Sequence, residues 1–136
     1  MRVAFGSAVM RITFVFSATL LTLGGFAAYA AEPYEGIWAY SQTECRDLDG
    51  ANSRTFIDLT NREKGKRSPL FDQYEHHCRI DRVEKTGTTA RLTMRCFEFW
   101  DFYRAGRPMT RQVSTLAPID RNNLKIDGKA YVRCAK

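Results

Sequence analysis

The chain is poor in the residues and patterns that announce chemistry. Among its 136 residues are two histidines and four cysteines. A zinc motif built on paired close cysteines is missing, because the cysteines are 33, 18 and 38 positions apart and such sites use spacings like C-x-x-C. No serine sits in a G-x-S-x-G turn, and there is no glycine-rich phosphate loop, so the two commonest signatures of acyl and phosphoryl transfer are missing. Internal repeats, low-complexity tails and sustained 3.6-residue apolar periodicity are also lacking, which excludes solenoids and helical bundles.

Acidic residues are absent from the first thirty positions, where Arg2 and Arg11 are the only charges. Ile12 to Phe26 is apolar or small, and Ala28-Tyr29-Ala30 comes next. A basic start, an apolar run and a small-x-small site form an export signal, expected over residues 1–30 and cleaved after Ala30. The apolar run is shorter than the roughly 20 residues that span a bilayer, so no membrane span is expected after cleavage. A start at Met10 would leave a complete signal as well. No Cys comes directly after the apolar run, so a lipoprotein anchor has no attachment residue there.

The remaining segment, 31–136, has the length of one domain. It keeps 19 basic and 15 acidic side chains, a net charge of +4. That suits an anionic envelope component or an acidic protein as partner and is too weak for a dedicated nucleic-acid binder. All four cysteines lie in this segment, and an even count in a small exported domain indicates two disulfides.

Strand signals dominate from Pro33 onward. Glu35–Tyr40 and Arg54–Leu59 read as strands, with Phe56 and Ile57 on opposite faces. Residues 60–69, with Arg62, Lys64, Lys66 and Arg67, read as a solvated basic loop. Tyr74–Lys85 and Thr88–Phe99 flank Gly87 as a hairpin. Centred on Gly87, that hairpin sets Cys78 opposite Cys96 and Ile80 opposite Met94 on one face. The expected bridges are therefore Cys78–Cys96 and, by remainder, Cys45–Cys134. Arg107–Ile119 supplies another strand, and Asp127-Gly128 a turn. A three-residue turn there, placing Leu124 opposite Val132, is preferred over a two-residue one placing it opposite Tyr131. The fold class is all-β: a small antiparallel barrel or sandwich of about seven to eight strands. A barrel is favoured, because closure protects strand edges.

Gly36-Ile37-Trp38-Ala39 followed by Cys45, the central Cys78 and Cys96, and the closing Tyr131-Val132-Arg133-Cys134 resemble uncharacterised small exported proteins of alphaproteobacteria. The resemblance implies a disulfide-tied β fold in the periplasm and brings no catalytic residues with it. The format is also similar to that of periplasmic lysozyme inhibitors, in architecture alone.

Candidate sites are few. Glu75, His77 and Arg79 alternate onto one strand face and have the composition of a small nuclease site. Alternation turns His76 inward and His77 out to solvent. Asp47-Leu48-Asp49-Gly50 lacks the later ligands of a calcium loop and reads as a turn. The aromatic run Phe97 to Tyr103 is too dense for a small core, so a hairpin tip bearing Trp100, Tyr103, Arg104 and Arg107 is the expected binding surface. The function this supports is a periplasmic or secreted binding module for a protein or an anionic envelope component, an inhibitor of a cell-wall hydrolase being one case. A small secreted hydrolase and a purely structural envelope protein are the alternatives. No cofactor or metal is expected.

Overall fold

A computed structural model describes residues 31–135; the export signal expected at 1–30 lies outside the described residues. Eight strands close an antiparallel barrel: β1 (Gly36–Ala39), β2 (Thr55–Asp58), β5 (Leu70–Gln73), β6 (His76–Thr86), β7 (Thr89–Phe97), β8 (Thr110–Pro118), β9 (Asn123–Ile126) and β10 (Lys129–Arg133). Neighbours in the barrel keep chain order, and β1 pairs with β10 to close it. Between β2 and β5 a two-stranded ribbon, β3 (Arg62–Glu63) and β4 (Lys66–Arg67), stands apart from the barrel. One short helix, α1 (Trp100–Ala105), joins β7 to β8. Among the described residues no helix is long and apolar enough to cross a membrane.

The interior is set by alternation. Trp38, Ile57, Phe71, Cys78, Ile80, Leu92, Met94, Leu116, Leu124 and Tyr131 point inward and form one buried cluster. A smaller cluster lies on the outside of the wall, where Leu70, Phe97 and Tyr103 pack with Phe56 and Phe102. Helix α1 thus covers part of the outer face, and β5 to β7 are buried on both sides there.

Both expected disulfides form, Cys78–Cys96 and Cys45–Cys134. The hairpin reaches the cysteine pairing by a different route from the one expected. Its turn has two central residues, Gly87-Thr88, since Thr86 opposes Thr89. Gly87 at φ 60° is what the first position of such a tight turn requires. The register then slips by one at Asp81, an extra residue between Ile80 and Arg82. The bulge restores the opposition of Ile80 to Met94 and of Cys78 to Cys96.

Two expectations are corrected. Leu124 opposes Tyr131, so the last hairpin has a two-residue turn, not the preferred three-residue one. Asp127 and Gly128 both have positive φ, which is the two-residue geometry whose twist matches the strands. Residues 60–69 are not an unstructured loop. Lys64 and Gly65 adopt the same tight turn and make a ribbon of them, although Lys66 and Arg67 do remain exposed. A short 3-10 turn spans Glu44–Arg46 and leads out of the first strand.

The seam between first and last strands has its own clasp. Arg133 lies over the Trp38 ring, its guanidinium carbon 4.1 Å from the centroid. Its three nitrogens donate to the carbonyl oxygens of Arg121, Glu35 and Pro33, each at 2.7 Å. Gly36 makes room for it: a Cβ there would lie 2.7 Å from Arg133 Nη1, at a φ of +129° that side chains avoid. Trp38 Nε1 donates to Tyr34 O. Glu35 spans the neighbouring gap, its carboxylate accepting from the Leu59 and Glu32 backbone N–H groups.

Arg133→Ala should cost roughly 3 kcal/mol, because it removes a stacked cation and three charge-assisted hydrogen bonds. Gly36→Ala should destabilise through both strain and clash. In the Arg133→Ala background only the strain remains, so the two losses should sum to at least about 1 kcal/mol more than the double variant shows. Denaturant melts of the four proteins measure this, and strict additivity would refute the clasp.

Candidate functional site

Register builds the site. Ile37 pairs with Phe56, Phe56 with Asp72, Asp72 with His77, and His77 with Phe97. Five adjacent strands thus contribute one row of outward-facing side chains. Its first four members floor a cleft of about 610 Å³. The Tyr74-Glu75 turn, Leu48-Asp49 and the Glu98-Phe99-Trp100 segment form the walls, with Arg54 and Gln73 completing the lining.

His77 is the correction with the largest consequence. It does point away from the barrel interior, but α1 covers it and it is not solvated. Its ring stacks on Trp100 with centroids 4.1 Å apart. Its Nδ1 lies 2.5 Å from Asp72 Oδ1. With Nδ1 carrying the proton, His77 donates to the carboxylate and Nε2 is left as acceptor. His76 faces inward as expected and is half-buried, its ring edge-on to Phe71. Burial is the main reason its pKa lies below the usual histidine value, and a hydrogen bond with Gln112 opposes that shift.

The four residues expected at a hairpin tip are separated. Trp100 is 39% exposed at the cleft wall. Tyr103 is buried and cannot offer surface. It anchors α1: its ring is edge-on to Phe97, its hydroxyl is 3.3 Å from Ser68 Oγ, and Arg79 sits 4.4 Å over its face. Arg104 is exposed, pairs with Asp101, and lines a smaller groove between α1 and the basic ribbon. Arg107 is exposed beyond Gly106 and lines neither depression. The tip is a helix because Gly106, at φ 75°, provides a left-handed cap whose N–H bonds back to Tyr103 O. That glycine is the one sequence signal for the helix.

The Glu75, His77 and Arg79 triplet is also divided. Glu75 and His77 line the cleft, whereas Arg79 donates to Tyr103 O at 2.9 Å and pairs with Glu63 of the ribbon at 3.0 Å. Glu75 holds a left-handed backbone, φ 51°, at the cleft mouth; non-glycine residues seldom adopt that conformation, and where they do it often marks a site. Asp47 accepts from the Asp49 N–H, an ordinary side-chain turn that presents Leu48. Among the described residues the one histidine, cysteine and carboxylate cluster with metal-binding proximity is His76 with Cys78 and Cys96. Its two sulfurs are joined in a disulfide and are not thiolates.

His76 generates a pH effect of definite sign. Its folded-state pKa is lowered, so the unfolded chain takes up the proton first. The stability it contributes is complete above the unfolded value of about 6.5 and is lost as pH falls through and below it. The His76→Gln protein should lose less melting temperature than wild type between pH 7.5 and pH 5. Equal losses in thermal melts would contradict this.

No family model, curated protein or solved structure matches this chain, so what the cleft does has to be read from its own chemistry.

Proposed function

We propose that the protein is a non-enzymatic binding module, working in the periplasm or after secretion, and that it grips a protein partner in the Trp100 cleft. Two disulfides and the absence of a membrane-crossing helix among the described residues are compatible with that oxidising setting. One observation carries the reading. Of the eight large hydrophobic side chains exposed among the described residues, four line this single cleft: Leu48, Tyr74, Phe99 and Trp100. A small domain gains nothing in its own stability by gathering exposed aromatics, whereas few-rotamer aromatic side chains lose little entropy on binding. Trp100 is also held rigid by His77 beneath it and Tyr103 at its edge. Inhibition of a cell-wall hydrolase is one form such binding takes.

A hydrolase is the second reading, favoured by the Asp72–His77 pair in a cleft. Nuclease chemistry fits poorly there. A phosphodiester would meet the carboxylates of Asp49, Asp72, Glu75 and Glu98, with Arg54 the one guanidinium among the described lining residues. Those lining residues include no serine, threonine, cysteine or lysine, so a hydrolase here would have to use Tyr74, a carboxylate or a water activated by His77. A purely structural role leaves the clustered exposed aromatics without a purpose.

Trp100→Ala and Phe99→Ala should each weaken capture of the periplasmic partner by roughly tenfold or more while the barrel still melts cooperatively. Tyr103→Ala should chiefly lower stability, by roughly 3–5 kcal/mol. Asp72→Asn separates the two readings. Loss of the carboxylate that orients a histidine base costs roughly a hundredfold or more in rate, so a null phenotype of folded Asp72→Asn with partner capture intact would favour the enzyme reading. A binding module should lose less than roughly tenfold.

A further inference from the structure

The chain is basic, with a net charge of +6 over the whole sequence, yet its aromatic cleft is not. Asp49, Asp72, Glu75 and Glu98 face Arg54 and His77 across it. Asp72 is engaged by His77. Asp49 and Glu98 have no ion pair or hydrogen bond through their carboxylates among the described residues. Glu75 raises the pKa of the neighbouring Tyr74 hydroxyl, and Asp49 adds to the effect. Both are marks of local negative potential. Beyond Arg54 in the cleft, cations without an ion pair among the described residues gather on the ribbon, at Arg62, Lys64, Lys66 and Arg67, and Arg104, paired with Asp101, lines the groove on the other side of α1. Trp100 lines both depressions and stands on the ridge between them.

The geometry points to the aromatic cleft as a receptor for a lysine or arginine side chain borne on an apolar stretch of a protein partner, with the cation set against Trp100 and among Glu75, Glu98 and Asp49. This rests on the cleft being the binding site and names the chemistry of what enters it. The aliphatic stem of such a side chain covers apolar surface while its head stays with the carboxylates. A cation over an indole adds attraction that grows as water is excluded. An acidic partner, the expectation raised by overall charge, would meet the cleft with the wrong sign; the basic ribbon beyond Trp100 is the side that matches it.

The two tryptophans make the test direct. Trp38 is fully buried and Trp100 is exposed, so collisional quenching of the oxidised protein reports on Trp100. Caesium and iodide would be compared at equal ionic strength, each relative to N-acetyltryptophanamide. Caesium should be favoured over iodide about twofold or more, despite the positive net charge, and the preference should shrink with salt. Glu75→Gln with Glu98→Gln should abolish it. A synthetic peptide alternating lysine and leucine should then bind about tenfold or more tightly than its glutamate counterpart, and lose that advantage in the double variant. Iodide preference, or equal or tighter binding of the glutamate peptide, would overturn the cationic assignment. If the glutamate peptide binds and Trp100→Ala removes it, the cleft is still the binding site and only its charge preference is wrong. If neither peptide binds, the cationic assignment and the binding reading of the cleft fall together.

Discussion

Everything in this fold depends on a seam of two registered residue pairs, Trp38 with Arg133 and Ala39 with Val132. The barrel is a sheet whose two outer strands, β1 and β10, must find each other across nearly the whole described chain. Without that pairing both edges would lie open, ready to pair with other chains. Two devices hold the seam. The Arg133 guanidinium, stacked on Trp38, ties together three carbonyls, two from the segment that leads into β1 and one from the turn before β9. The Cys45–Cys134 bridge closes a separation of 89 residues, for which chain entropy alone gives roughly 4.5 kcal/mol. The residues that mark the two ends in sequence, Gly36, Trp38, Arg133 and Cys134, are therefore one mechanical unit. The cleft inherits its shape from them, because Ile37 at one end of its floor sits between Gly36 and Trp38.

The other end of that floor depends on α1. A strand wall with a solvated outer face would leave Asp72 and His77 in water. Here Tyr103, Phe97 and Phe102 form a second apolar layer outside the wall. Arg79 fastens it, stacking on Tyr103, donating to its carbonyl and pairing with Glu63 of the ribbon. The layer brings Trp100 down onto His77. It also explains why the chain places so many aromatics between Phe97 and Tyr103: some are core, some are cleft, and helical spacing sorts them where strand alternation could not.

Much of the barrel is legible in the sequence, since alternation and cysteine spacing are local or nearly so. Cys78 and Cys96 pair as alternation predicts, although centring the turn on Gly87 makes it one residue too long. The bulge at Asp81 shifts the register by the same one residue in the compensating direction. Periodicity carries no sign of a bulge, so the agreement at the cysteines does not extend to the hairpin tip. At Asp127-Gly128 backbone twist outweighs the match of side-chain sizes that favours the longer turn. The cleft itself is not legible. Strand alternation sends His77 to the outer face, but it does not say whether another element covers that face. Phe56, Asp72 and Ile37 become neighbours of His77 only through the pairing of β1, β2 and β5, which no spacing in the sequence encodes. Helix α1, at six residues, is shorter than two turns and too short for apolar periodicity to register.

The up-and-down order of the strands also imposes a schedule. Any channel that releases the chain N-terminus first delivers Cys45 long before Cys134, and presents Cys78 and Cys96 in between. Cys78 and Cys96 can meet as soon as their own hairpin emerges, 18 residues apart in one local unit. Cys45 must wait with an open thiol until β10 arrives. The barrel is therefore zipped progressively along its wall and locked only once Cys134 is out, so that a chain cut short just before that residue keeps most of its strand pairs and loses the lock.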